Sequence, residues 1–281
     1  MGYWITKPQR DAMADYIGRI DEGIYKPVSD YSSLANLFTG QTPSEAANSC
    51  MIPAYLARWG WKKYNHHIVI QDGIRKLLSL YELMYRAALR NRERKAYKTV
   101  RLCSRKQVVL GASINHSFLS TSESSIEELI ELNYGNCPEL GIISFEISSD
   151  AIVLPMSILG EAYPKQIERE ILILPGMKME IEKDDDVDYS YFGLDGKKAE
   201  GYKAFIGGPD FSECEFTDYN SASEIAFDPE RLKEIQKFVI SLNDFSKEKN
   251  CPTPPDCYNE WATAYKQVVM YNLRNILNNW N

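Results

Sequence analysis

The sequence predicts an α+β fold, with a strand-rich middle set between helical ends. Three observations predict it. Apolar residues recur at helical spacing over roughly the first 95 positions and again after about position 221. Between them the texture changes to short apolar or alternating runs broken by Gly, Pro, Asp and Lys. The order is helices, then strands, then helices, which suggests segregated layers rather than repeated βαβ units. The expected division is residues 1–95, helical; 96–220, the strand-rich core; and 221–281, a helical extension.

The composition narrows the class. The chain has 281 residues, 44% of them hydrophobic and 25% charged, which is ordinary globular material able to bury a sizeable core. The net charge of −7 argues against a nucleic-acid partner, which needs a basic patch to neutralise phosphates. The most basic stretch, "RAALRNRERKAYKTVRLCSRK", is local. No apolar run reaches the roughly 20 residues of a membrane span. The N-terminal "MGYWITKPQRDAMADYIGRI" lacks a continuous apolar segment, so no Sec-type signal peptide is expected. Gly2 and Thr6 fit a myristoylation pattern formally, with bulky Tyr3 and Trp4 directly after the glycine. The six cysteines are scattered without a CxxC pair, as free thiols in a reducing compartment would be. Cys251 and Cys257 flank a Pro-rich turn and could meet.

Taken in order, "DAMADYIGRIDEGI" (11–24), "DYSSLANLF" (30–38) and "PSEAANSCMIPAYLARWGW" (43–61) read as short helices broken by Gly and Pro. The segment 67–94 carries a broad helical stripe through Ile74, Leu77, Leu78, Leu80, Tyr81 and Leu83. Strands are expected at "KTVRLCSR" (98–105) and "QVVLGASI" (107–114), then a helix at "SSIEELIELN" (124–133), opened by a capping box of Ser124 and Glu127. "GIISFEIS", "AIVLP", "REILILPG" and "KMEIEKD" follow as strands. "DDDVD" (184–188) and "GLDGKKAEG" (193–201) are turn-rich breaks, and "GYKAFIGG" (201–208) adds a strand. Asp228 and Pro229 open a helix through about residue 245, and a last helix follows Pro254-Pro255.

Three features could carry chemistry. In "NHSFLSTSES", Ser120 and Ser122 share one face of an extended strand. Ser-Thr-Ser also suits a turn or helix entry, because these hydroxyls bond local backbone groups. In "QIEREILILPG", Glu168 and Glu170 stand two apart before the apolar run Ile171–Leu174. On a strand they would share a face, where like charges disfavour mutual burial. That leaves either a solvated strand end or a cleft with a partner for each acid. Arg101, between Val100 and Leu102, faces solvent or an anionic ligand, and its planar fork suits phosphate. Arg86, Arg94 and Arg105 lie nearby, and only Arg101 has the apolar neighbours of a strand.

Arg101, then Ser120 in "FLSTS" 19 positions on, then Glu168 and Glu170 in "EREILILPG", resembles the R-S-E class of mono-ADP-ribosyltransferases, which includes bacterial toxins and effectors. The resemblance covers roughly residues 97–205. It implies an ADP-ribosyltransferase-like split β-sandwich as the catalytic core, flanked by the N- and C-terminal helices. It implies NAD as substrate, bound without a Rossmann fold, and the chain has neither a GxGxxG after a strand nor a Walker A loop. Glu170 would stabilise the oxocarbenium-like ribose through its 2′-hydroxyl, and Ser120 would hold Glu170. Arg101 would bind the pyrophosphate or the adenosine-side ribose. Thr121 and Ser122 would support the strand and the nicotinamide pocket. Glu168 would orient an acceptor arginine, and Tyr163 in "LGEAYPKQ" would touch the target protein. The resemblance further implies a bacterial effector delivered into a host cytosol without a Sec signal. The rival expectations are an NAD glycohydrolase and a non-catalytic interaction protein on the same fold. No metal is expected: His66, His67 and His116 lack ligand spacing, and "DDDVD" lacks the Gly and Glu of an EF-hand loop.

Overall fold

The computed structural model describes residues 6–10, 20–21, 24–25, 70–105, 108–116, 118–132, 139–158, 169–185, 198–212, 219–244 and 253–280. They fall into two compact units. One is Ala87–Asp210; the other takes in the described parts of Ile5–Arg86 and Phe211–Asn281. The first holds α+β architecture around a mixed sheet and the second is mainly helical.

In the second unit, β1 (Ile20–Asp21) pairs antiparallel with β2 (Ile24–Tyr25). This corrects the helical expectation for 11–24 at its C-terminal end. Two residues separate the paired strands, the commonest hairpin spacing, and one of them is Gly23. Helix α1 spans Ile70–Arg90, and the boundary between the units falls within it; His66 and His67 lie outside the described residues. Its buried residues include Tyr81, Met84, Tyr85 and Ala88.

Among its described residues the first unit contains eight strands: β3 (Tyr97–Ser104), β4 (Gly111–Ile114), β5 (Leu119–Ser122), β6 (Glu139–Ile147), β7 (Val153–Pro155), β8 (Glu170–Ile173), β9 (Met177–Asp184) and β10 (Lys198–Pro209). Their order in the sheet is β4-β9-β10-β6-β3-β5-β8-β7. Only β6 and β10 run parallel. The sheet narrows between β3 and β5 to one residue pair, Val100↔Ser122. A wide lobe of five strands thus meets a narrow lobe of three, and the split falls beside Arg101.

Local composition explains these strands. β9 alternates, with Met177 and Ile181 inward and Lys178 and Glu182 outward. Ile171, Leu172 and Ile173 of β8 are all at least 98% buried, which matches an apolar run covered on both faces. The run ends at Pro175-Gly176, where Gly176 takes φ +95, a conformation that costs glycine little.

Several boundaries differ from the sequence expectation. In "QVVLGASI" the strand begins only at Gly111, whose φ is +100, and Val108 bonds back to the Arg105 carbonyl. "KAEG", expected as part of a break, belongs to β10, because Lys198 to Gly201 pair with Glu139 to Ile142 of β6. Helix α2 (Ile126–Glu131) is capped by Ser125 and Glu128, one residue later than expected. Ser124 is engaged upstream, its N–H bonding the Ser122 hydroxyl at 2.9 Å.

The C-terminal helices are α3 (Tyr219–Ala226), α4 (Pro229–Asp244) and α5 (Tyr258–Asn278). Asp228 Oδ1 accepts from the N–H groups of Glu230 and Arg231 at 2.8 and 3.0 Å, capping α4. The last helix opens at Tyr258 and not directly after Pro255, because a turn intervenes in which Tyr258 N–H bonds the Pro255 carbonyl. Cys257 is a free thiol that donates to Glu234, so it does not bridge to Cys251. Among the described residues no helix is long and apolar enough to cross a membrane.

Candidate active site

The site is built where the two lobes part. The Glu123 N–H bonds the Arg169 carbonyl at 3.2 Å, continuing the β5–β8 register past Ser122↔Glu170. Hydrogen-bonded positions alternate along an antiparallel ladder, so Thr121 turns its backbone to β8 while Ser120 and Ser122 turn theirs to β3. The Arg101 guanidinium takes the Ser120 carbonyl: Nη1 donates to it at 2.7 Å. Continuing the β3–β5 register would set Leu102 opposite Ser120, so an arginine side chain works where the ladder has stopped.

Ser120 Oγ donates to Glu170 Oε1 at 2.5 Å. The two residues are diagonal neighbours, since Ser120 pairs with Leu172 and Glu170 with Ser122. Glu170 is only 7% exposed, where a charge without partners would be costly. Arg101, Ser120 and Glu170 therefore form one connected chain across the split.

The neighbouring hydroxyls do structural work. Thr121 Oγ1 donates to the Ile171 carbonyl at 2.9 Å, and Ser122 Oγ accepts from Ser124. Both side chains are buried, so they brace β5 against β8 and against the turn into α2. Glu168 and Tyr163 lie outside the described residues. The expectation that Glu168 and Glu170 share a strand face therefore also lies outside them; among the described residues β8 begins at Glu170, and Arg169 before it has φ +43.

Of the neighbouring arginines, Arg86 pairs with Glu82 and Arg105 with Glu200 at 2.5 Å. Arg101 has no carboxylate partner among the described residues. Tyr202 also donates to Glu200, at 2.8 Å. That bond and then Arg105 hold the Glu200 carboxyl below its ordinary range, and burial followed by Glu200 pushes the Tyr202 phenol up to about 12.

Two residues near the site escape sequence reasoning. Asn115 is buried, with Nδ2 on the Leu174 carbonyl at 2.9 Å and Oδ1 accepting from Met177 N–H at 2.7 Å. It clamps the Pro175-Gly176 turn that ends β8. The sole signal was a polar residue beside Ile114. Arg169 is the other, and nothing in its residue type signals a left-handed backbone.

Ser120→Ala removes a hydrogen bond to a charged, buried acceptor, a class worth about 1.5–3 kcal/mol, or roughly 10- to 100-fold in a rate that depends on it. Urea unfolding of Ser120→Ala should show a stability loss in that range. A cost under about 0.5 kcal/mol would mean the bond contributes little to holding β5 and β8 together.

No family model matches the chain, and no curated protein matches it. Solved structures do. The C3 exoenzyme of Clostridium limosum is similar with a TM-score of 0.43 and 9% identity, over 73% of this chain and 87% of that one. An ADP-ribosyltransferase from Clostridium botulinum gives 0.39 and 11%, over 72% and 89%. The ADP-ribosylating toxin BECa of C. perfringens, solved with NADH, gives 0.40 and 11%, over 93% and 59%. These scores all lie below 0.5, and the functional reading stands on the geometry of Arg101, Ser120 and Glu170.

Proposed function

We propose that the chain is an NAD-dependent protein mono-ADP-ribosyltransferase with its catalytic core at 96–220, modifying an arginine side chain. The observation that carries the reading is the connected set itself: Arg101 on the Ser120 carbonyl, and the Ser120 hydroxyl on Glu170. The order Arg, Ser, Glu came from the sequence, and residues 19 and 50 positions apart make these bonds.

The chemistry follows from the groups. Arg101, a cation without a carboxylate partner among the described residues, suits the pyrophosphate of NAD. The ribose–nicotinamide bond breaks with its electron pair going to the nicotinamide nitrogen, which leaves positive charge on the ribose. Glu170, oriented by Ser120, accepts from the 2′-hydroxyl and stabilises that charge as it develops. A guanidinium nitrogen of the acceptor then forms the new bond to the ribose carbon and gives up its proton. Glu168 orients that guanidinium, and Tyr163 contacts the acceptor protein. NAD is consumed as a substrate, and the mechanism uses no metal. In this reading the protein is an effector that a bacterium delivers into a host cytosol, with 1–95 and 221–281 as flanking helical regions.

The test is incubation with labelled NAD and a protein lysate, followed by mass spectrometry of the labelled proteins. Wild type should place ADP-ribose on arginine. Glu168→Ala should abolish protein labelling and spare nicotinamide release. Release without any protein label in wild type would make the chain an NAD glycohydrolase, with water as acceptor. Absence of both label and NAD binding by calorimetry would leave a non-catalytic interaction protein.

A further inference from the structure

Among the described residues, Arg169 is the only non-glycine with a positive φ, +43. The left-handed region costs an L-residue with a side chain about 1–2 kcal/mol, and such a conformation persists where its surroundings enforce it. One backbone bond ties this residue to its neighbour strand. The Arg169 carbonyl accepts from Glu123 N–H, the rung just beyond Ser122↔Glu170. Glu123 leads into Ser124, tied to the Ser122 hydroxyl, and into Ser125, the cap of α2. The Arg169 guanidinium lies 3.9 Å from Glu128 Oε1, while Glu128 Oε2 accepts from Ser125 N–H at 2.8 Å. Both side chains of that ion pair are largely exposed, at 60% and 46%, so the pair itself contributes little.

We propose that the left-handed backbone of Arg169 is a positioning device for Glu170. It fastens the entry of β8 to the end of β5 and so presents the Glu170 carboxylate to the Ser120 hydroxyl. Glu170 is the first residue of β8, directly after the turned residue, and any change in that turn moves it first. The proposal rests on the reading of Glu170 as the carboxylate that serves NAD. Arg169 acts through its backbone, so glycine, which adopts positive φ freely, should replace it, and a β-branched residue should not.

The experiment uses the full chain with Arg169→Gly, Arg169→Ala, Arg169→Val, Ser120→Ala and Glu170→Gln. The first readout is the carboxyl 13C resonance of Glu170, which needs no turnover. In Arg169→Val it should move to the position seen in Ser120→Ala, and in Arg169→Gly it should stay at the wild-type position. The second is steady-state NAD cleavage. Arg169→Val should lower kcat about tenfold with little change in KM, the size of one lost bond to a charged group. Arg169→Gly should stay within about twofold of wild type by the same scale. Arg169→Ala, an L-residue with the same Cβ as arginine, should stay near the wild-type position. Should Arg169→Val not fold, Arg169→Thr, also β-branched, serves in its place, with a shift in the same direction. A wild-type resonance in the Val or Thr variant overturns the proposal, and so does a loss in Arg169→Gly as large as that in Arg169→Val. If Glu170→Gln cleaves NAD like wild type, the reading of Glu170 fails whatever Arg169 does. If Glu170→Gln is inactive while Arg169→Val is unchanged, the positioning role alone fails.

Discussion

Under the proposed ADP-ribosyltransferase reading, Glu170→Gln is expected to lower the rate of NAD cleavage by about 10²–10³-fold, the range found when one preorganised group aimed at a developing charge is removed. The substitution nearly preserves shape. The amide oxygen of glutamine still accepts from the Ser120 hydroxyl, which now donates to Glu170 Oε1 at 2.5 Å. On the proposed reading, what disappears is the negative charge that would face the ribose as the nicotinamide leaves. Arg101 is untouched, so NAD binding by calorimetry should stay close to wild type, and the loss should appear in kcat. The site is buried, which strengthens the charge effect relative to water. Thermal melting separates the effect from damage to the fold: a variant that melts near the wild-type midpoint has lost the charge and kept the structure. An enzyme that keeps a third or more of wild-type kcat with glutamine here would end the assignment of Glu170 to the ribose.

How much of this site could be read in advance differs residue by residue. The strand β8 was legible, because four apolar residues ending in Pro-Gly have few other places to go than a covered strand. The Asp228 cap was legible too, since it depends on residues two and three positions away. The capping box of α2 was legible only to within one residue: Ser124-Ser125 and Glu127-Glu128 offer two overlapping boxes, and the choice is made by Ser122, which takes the Ser124 N–H. The helix-like stripe at 11–24 misled at its end, where a hairpin pairs Ile20–Asp21 with Ile24–Tyr25. Contacts over long separations were out of reach of pattern alone. Asn115 meets Leu174 and Met177 from 59 and 62 positions away, and Arg105 meets Glu200 from 95. Ser120 and Glu170, 50 positions apart, would have been in the same class without the resemblance that ordered them. The turned backbone of Arg169 was invisible for another reason. It goes with a bond from Glu123 across the ladder and is not preferred by arginine itself.

Trp261→Ala is the stability counterpart, expected to cost about 3–5 kcal/mol, the range for truncating a fully buried aromatic. Trp261 of α5 is 0% exposed and sits in a column of rings. It stacks on Tyr265 with centroids 5.5 Å apart and planes at 13°, and Tyr258 lies 6.0 Å away on its other side in the sequence. Phe238 of α4 meets Tyr258 edge-on at 5.2 Å, so the column ties α4 to α5. The indole also donates to the Ala226 carbonyl at 3.1 Å, satisfying the C-terminal end of α3. Truncation therefore removes ring contacts, leaves a cavity, and strips a buried carbonyl of its donor at once. Trp261→Phe separates the parts: it keeps a ring in the column and gives up the donor, so it should cost less, near the roughly 1–3 kcal/mol of an unsatisfied buried group. Urea unfolding of the two variants measures both terms. A cost for Trp261→Ala near the average of about 1 kcal/mol for point substitutions would mean that the helical unit relaxes around the cavity and that its core lies elsewhere.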